Sequence, residues 1–134
     1  MKKPHDKYQA VLIVHPMSTH SLKLDWDTSD PECVIVRLAG RLDLDEAQVL
    51  EAEVLTRSAA TSSHLCFDMA GVLFMSSSGI RSLVSIRRRM EQIDRKLVLF
   101  ALTPNVLKIL QIVEIDHLFH ICDRQDTAIQ TAKK

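Results

Sequence analysis

The period of apolar and polar positions changes several times along this chain, and each change marks an element. Ser21-Leu22-Lys23-Leu24-Asp25-Trp26 alternates polar with apolar, the pattern of a half-buried strand. Turn residues fill 27–31, and Val34-Ile35-Val36-Arg37-Leu38-Ala39 follows as a more continuous apolar run. The two read as an antiparallel hairpin whose second strand lies deeper in a sheet. Gly40-Arg41-Leu42-Asp43 closes that strand. Asp43 stands three residues before Glu46, a capping-box-like start for a helix over about 44–58. Ala47, Leu50 and Val54 line its buried face, with Glu46, Glu51, Glu53 and Arg57 away from it.

Polar Thr61-Ser62-Ser63 leads to an expected strand at 64–69, and a short loop carries the chain to three consecutive serines. Beyond them Ile80, Leu83, Val84, Ile86, Met90 and Ile93 recur at roughly helical spacing, which predicts a helix over 79–94. Arg87-Arg88-Arg89 interrupts the stripe and reads as a solvated face, or as a docking patch for an acidic partner. Leu97-Val98-Leu99-Phe100-Ala101-Leu102 suits a central parallel strand covered on both faces. Thr103-Pro104 supplies an N-cap and a proline at the first helical position. The helix after it presents Val106, Leu107, Ile109, Leu110 and Val113. A last strand is expected at 118–122, and a final helix capped by Asp123 or Asp126. The order ββαβαβαβα implies an α/β domain of parallel crossover units opened by an antiparallel hairpin. The domain is expected at 21–134. Residues 1–20 are expected to form an N-terminal arm or an extra strand, in which 8–14 is the apolar part before His15-Pro16.

With 134 residues the chain can bury one core. Lys and Arg together number 17 and so do Asp and Glu, which leaves no basic excess for nucleic-acid binding. One Trp, one Tyr and four Phe are too few for a base-stacking platform. Cys33, Cys66 and Cys122 are widely spaced, odd in number and set among apolar neighbours, as for free buried thiols. His5, His15 and His20 lack metal-ligand spacing, so no metal site is expected. No apolar run reaches the length of a membrane span, and the run at 10–14 is too short for a signal peptide, so a cytoplasmic location is expected. No glycine-rich phosphate cradle occurs. Met75 occupies the place of the first glycine in a nucleophile elbow, and nothing marks His117 or His120 as a base. These absences argue against an enzyme.

That leaves Ser76, Ser77 and Ser78. A helix start has unpaired N–H groups and a partial positive charge, so a hydroxyl there can cap the helix, bind an anion or accept a phosphate. Spacing alone offers Ser77 or Ser78 as the cap. Asp43 has a similar choice between capping and contacting a partner, and Asp68 reads as a loop hydrogen-bonder.

From about Leu22 onward the chain resembles the STAS domain, in particular bacterial anti-sigma factor antagonists. The residues that carry the resemblance are Val36-Arg37-Leu38-Ala39-Gly40-Arg41-Leu42-Asp43, Phe67-Asp68-Met69-Ala70-Gly71-Val72, Phe74-Met75-Ser76-Ser77-Ser78-Gly79-Ile80 and the stretch 96–104. The resemblance implies a STAS-like single domain, a mixed and mostly parallel β-sheet with an antiparallel N-terminal hairpin strand, packed by about four helices. It also implies a non-enzymatic regulatory protein acting on transcription by partner switching. In such a protein the unphosphorylated form binds an anti-sigma factor that is itself a serine kinase. Phosphorylation of a loop serine weakens the complex, and a serine phosphatase resets it. Position by position, the acceptor is Ser78, or less favourably Ser77, and Asp43, Ser76, Ser77, Ser78, Gly79 and Arg81 belong to the partner-binding surface. No cofactor is implied, because ATP is used by the partner kinase; neither direct nucleic-acid contact nor membrane insertion is implied, and the oligomeric state stays open. Two positions depart from the pattern. Ser76 stands where aspartate is usual, and Arg81 where a second small residue is common, three residues beyond Ser78 and within reach of a phosphate there. The departure at Ser76 leaves an alternative, a non-phosphorylated STAS subunit of a transport complex such as one for lipid.

Overall fold

The computed structural model describes residues 8–14, 21–59 and 62–134. His5, His15, His20, Thr61 and the first three residues lie outside them. The elements are β1 (Tyr8–Val14), β2 (Ser21–Asp27), β3 (Cys33–Leu42), α1 (Leu44–Ala59), β4 (His64–Met75) and α2 (Ser77–Gln92). After these come β5 (Leu97–Phe100), α3 (Pro104–Ile112), a 3-10 turn (Asp116–Leu118), β6 (His120–Cys122) and α4 (Gln125–Lys133). One six-stranded sheet has the order β1-β2-β3-β4-β5-β6, antiparallel across its first three strands and parallel thereafter. The expected mixed sheet and four helices are present.

Alternation along the strands sends side chains to two unequal cores. On one face Val34, Val36, Leu38, Leu65, Phe67, Met69 and Leu99 meet Leu50 and Val54 of α1, Leu83, Ile86 and Met90 of α2, and Val106 and Leu110 of α3. On the other, Cys33, Ile35, Cys66, Val98 and Phe100 are covered by Ala128 and Ala132 of α4. Small alanines let α4 lie close to the sheet.

The expected loop after residue 69 does not exist: β4 runs on to Met75. Its pairing with β3 shifts register between Arg37 and Ala39 and again between Gly40 and Arg41. Each shift gives β4 one more residue than β3, the signature of a bulge. The buried positions of β4 accordingly change spacing, from Leu65, Phe67 and Met69 to Val72 and Met75. Gly40 sits at the second shift with φ of 123°, a conformation that favours glycine.

Several local expectations change. Glu46 is 2% exposed rather than on the outer face, and its Oε1 has no hydrogen-bond partner among the described residues. At the next residue the Ser82 hydroxyl of α2 donates to the Ala47 carbonyl at 3.0 Å, so α1 and α2 are in contact here. Arg57 lies across the ring of Trp26, 4.6 Å from its centroid, while pairing with Glu53 at 2.8 Å. Its guanidinium covers an aromatic while the side chain stays partly exposed. β5 stops at Phe100 because Ala101 turns left-handed, with φ of 58°. Val113 is exposed, because it is the residue that ends α3. Neither Asp123 nor Asp126 caps α4: Arg124 holds that position without a side-chain bond, and Asp126 lies inside the first turn. Cys33 and Cys66 are buried with their sulfurs 2.9 Å apart, whereas Cys122 is only half-buried. The sequence separation of the first two hid a contact between neighbouring strands.

His64 opens β4 and ties it to β5: its Nδ1 accepts the Lys96 N–H at 3.0 Å. Burial, with the cations of Arg95 and Lys96 and against weaker pulls from Glu32 and Asp94, holds its imidazole below the usual range. A depressed folded value means the neutral form is favoured by folding. The His64 contribution is therefore full above the ordinary imidazole pKa and is lost as pH falls through the lowered folded value. Urea denaturation from pH 7.5 down to pH 5 should show decreasing stability, and His64→Gln should flatten that slope. An unchanged slope in the variant contradicts the assignment.

Candidate partner-binding site

β3 ends at Leu42 and β4 at its register partner Met75, and Ser76 alone separates β4 from α2. Ser76 is extended, with φ of −81° and ψ of 173°. Its Oγ accepts the Gly79 N–H at 3.2 Å. The same hydroxyl donates to the Leu42 carbonyl at 2.9 Å, and the Ser76 N–H donates to that carbonyl at 3.0 Å. The cap is thus Ser76, not Ser77 or Ser78. Because β4 stays extended to Met75, the first hydroxyl of the three has the β-region backbone that a cap requires. Aspartate, also a strong cap, would lack the proton that serine gives to Leu42.

Ser77 and Ser78 occupy the first and second helical positions. Ser77 is exposed and Ser78 half-buried, and neither hydroxyl makes a hydrogen bond among the described residues. The first turn of α2 contains no acidic residue, so its positive end is uncompensated within the helix. Gly79 is buried. A Cβ there would stand 2.7 Å from both the Leu42 oxygen and Met75 Cγ, so its hydrogen atom lets α2 sit against the end of β3. Arg81 is exposed one turn farther along.

Asp43 follows Leu42 directly and so joins the same corner. Its carbonyl accepts the Ala47 N–H at 2.8 Å, which opens α1. Its carboxylate pairs with Arg41 Nε at 3.3 Å, and the Arg41 guanidinium lies 4.3 Å from the centre of the Phe74 ring. On the far side, Thr103 Oγ1 donates to the Val72 carbonyl at 3.2 Å and Asn105 Nδ2 to that of Leu73 at 3.1 Å. These bonds fasten the start of α3 to the end of β4. Asp68 accepts the Ala70 N–H at 3.0 Å and pairs with Arg37 at 3.7 Å, a structural role away from the serines.

Sequence reading missed four residues here. Leu73 and Leu44 are 68% and 55% exposed, and Arg41 with Phe74 forms a stacked pair beside Asp43. The signal was the parity change through Val72-Leu73-Phe74-Met75, legible only once the bulges are known. The corner combines hydroxyls, an Arg–Asp pair and exposed leucines, and suits recognition by another protein. Among the described residues no group of three or more His, Cys, Asp or Glu could hold a metal. No described helix is long and apolar enough to cross a membrane.

The STAS domain family description matches residues 27–128. The chain belongs to the STAS domain family. A curated relative, the putative anti-sigma factor antagonist BtrV of Bordetella bronchiseptica, is 25% identical over 112 residues, covering 84% of this chain and 96% of its own. The unphosphorylated anti-sigma factor antagonist SpoIIAA shares the fold with a TM-score of 0.71 at 21% identity, covering 82% of this chain and 96% of that one. The STAS fold also recurs in the murine anion transporter Slc26a9, with a TM-score of 0.70 at 18% identity, over 93% of this chain but 22% of the transporter.

Two substitutions test how the STAS corner is built. Ser76→Ala should cost about 1–2 kcal/mol in urea denaturation through loss of the cap, while Ser76→Asp should recover part of it. Gly79→Ala should cost about 1–3 kcal/mol, because its nearest obstacle is a backbone oxygen that cannot rotate away. Wild-type stability in Gly79→Ala would show that α2 can shift off Leu42.

Proposed function

We propose that this STAS domain is a phosphorylation-switched regulatory binding protein of the anti-sigma factor antagonist type. Unphosphorylated, it binds an anti-sigma-type partner that is a serine kinase; phosphate on Ser78 weakens the complex, and a serine phosphatase removes it. The observation that carries this reading is the division of labour among the three serines. Ser76 spends its hydroxyl on Leu42 and Gly79, leaving the Ser77 and Ser78 hydroxyls unengaged among the described residues at a helix start with no acidic residue in its first turn, and the family pattern selects Ser78 of the two. A phosphate there adds roughly −1.5 to −2 charge at neutral pH. The helix end favours that charge by about 0.3–1 kcal/mol, so the fold tolerates it. Arg81 stands three residues on, on the same helical face. The partner bears the cost instead, since a docked surface must desolvate the phosphate. Similarity to antagonists supports the reading, and SpoIIAA of Bacillus has been solved in a phosphorylated form.

A second reading is a non-phosphorylated STAS subunit of a transport assembly. It is favoured by Ser76 in place of the usual aspartate, and a transporter does carry this fold. Incubation with ATP and a serine kinase of the anti-sigma type, followed by mass spectrometry, separates the two. The switch predicts phosphate on Ser78 that disappears in Ser78→Ala. It further predicts that Ser78→Asp binds the kinase about tenfold or more weakly than Ser78→Ala, the effect of one unfavourable interfacial charge. Equal affinities, or a protein that is never phosphorylated, would favour the transport reading.

A further inference from the structure

β1 ends the sheet, and no strand pairs with its outer side among the described residues. Edge strands are commonly blunted by charge, proline, a bulge or brevity, because their unpaired N–H and C=O groups template pairing with another chain. The opposite edge follows this rule: β6 has three residues. β1 does not. Its sequence Tyr8-Gln9-Ala10-Val11-Leu12-Ile13-Val14 holds no charged residue and no proline. Its seven pairs with β2 run from Tyr8↔Asp27 to Val14↔Ser21 without a register shift, so no bulge bends it away.

We infer that β1 is a self-association edge, on which a second copy of this chain pairs its own β1 antiparallel about a two-fold axis. The most symmetric register sets Tyr8 against Val14, Gln9 against Ile13, Ala10 against Leu12, and Val11 against itself. No like charges oppose one another in that ladder. The whole chain, with 17 basic and 17 acidic residues, carries no net charge to hold two copies apart. An uncharged, self-complementary strand fits a second copy better than an acidic or basic peptide, for which β1 offers no charge complement. Pairing would join two sheets into one while leaving the Ser76–Gly79 corner, built on β3 and β4, outside the joined edge. The inference is independent of phosphorylation.

Sedimentation equilibrium of the full chain from micromolar to near-millimolar concentration tests it. The weight-average mass should rise from monomer toward dimer. Ala10→Lys combined with Leu12→Lys should weaken dimerisation about tenfold or more, because lysines then face each other across both pairs. Those positions stand in register with Asp25 and Lys23, not with the buried Leu22, Leu24 and Trp26. Hydrogen exchange on the wild type keeps the test decisive if the variant misfolds: amides of β1 should exchange more slowly as concentration rises. A wild type monomeric throughout, a folded variant that dimerises equally well, or a dimer without added protection in β1 would each overturn the inference.

Discussion

The carbonyl oxygen of Leu42 holds together the corner at which β3 and β4 end and α2 begins. It receives both the N–H and the hydroxyl of Ser76. Gly79 packs against the same oxygen, close enough that any Cβ would clash. Two strand ends and one helix start are thereby fixed within a few ångströms. The next residue, Asp43, opens a second helix, and Thr103, at the start of a third, bonds to the end of β4. Three helix N-termini thus converge on one end of the parallel part of the sheet, the end at which crossover topology gathers binding sites in open α/β folds. Their first turns differ in charge. α1 carries Asp45 and Glu46, whereas α2 carries no acid beside Ser77 and Ser78.

Bulges bring this corner about. Without two extra residues in β4, Met75 would not pair with Leu42, and the serines would begin in a loop instead of at a strand end. A helix springing directly from a paired strand has little freedom, so the backbone positions of Ser77 and Ser78 are fixed by the strand end. Lower in the sheet, Arg37 joins neighbouring strands by reaching Asp27 and Asp68, both at 3.7 Å, and Gln125 of α4 at 2.9 Å. Burial works against the Asp27 carboxylate, but Ser29 and Arg37 outweigh it and hold its pKa below the usual range. This network sits on the α4 face, through Gln125, apart from the Arg41–Asp43 pair at the serine corner.

Much of the architecture was legible in the chain. Period-two and period-3.6 stripes pointed to the hairpin, the first three helices and the parallel core, because burying one face of each element requires those spacings. Thr103-Pro104 named its own helix start, since only local backbone chemistry decides it. The STAS resemblance, too, rested on short contiguous segments. Elsewhere local signals misled. Glu46 and Arg57 followed the polar side of a helical wheel, yet Glu46 is buried and Arg57 lies across the Trp26 ring. Cys33 and Cys66 looked unrelated until strand pairing set them side by side.

For the serines the division is sharpest. By itself the sequence determined that three hydroxyls lie at a helix start, and that one residue beside them has no side chain. Which hydroxyl caps the helix and which is left unengaged was decided only by tertiary structure. The choice depends on where β4 stops being extended. That point is set by bulged pairing with β3 and by the Leu42 carbonyl, a partner thirty-four residues away along the chain.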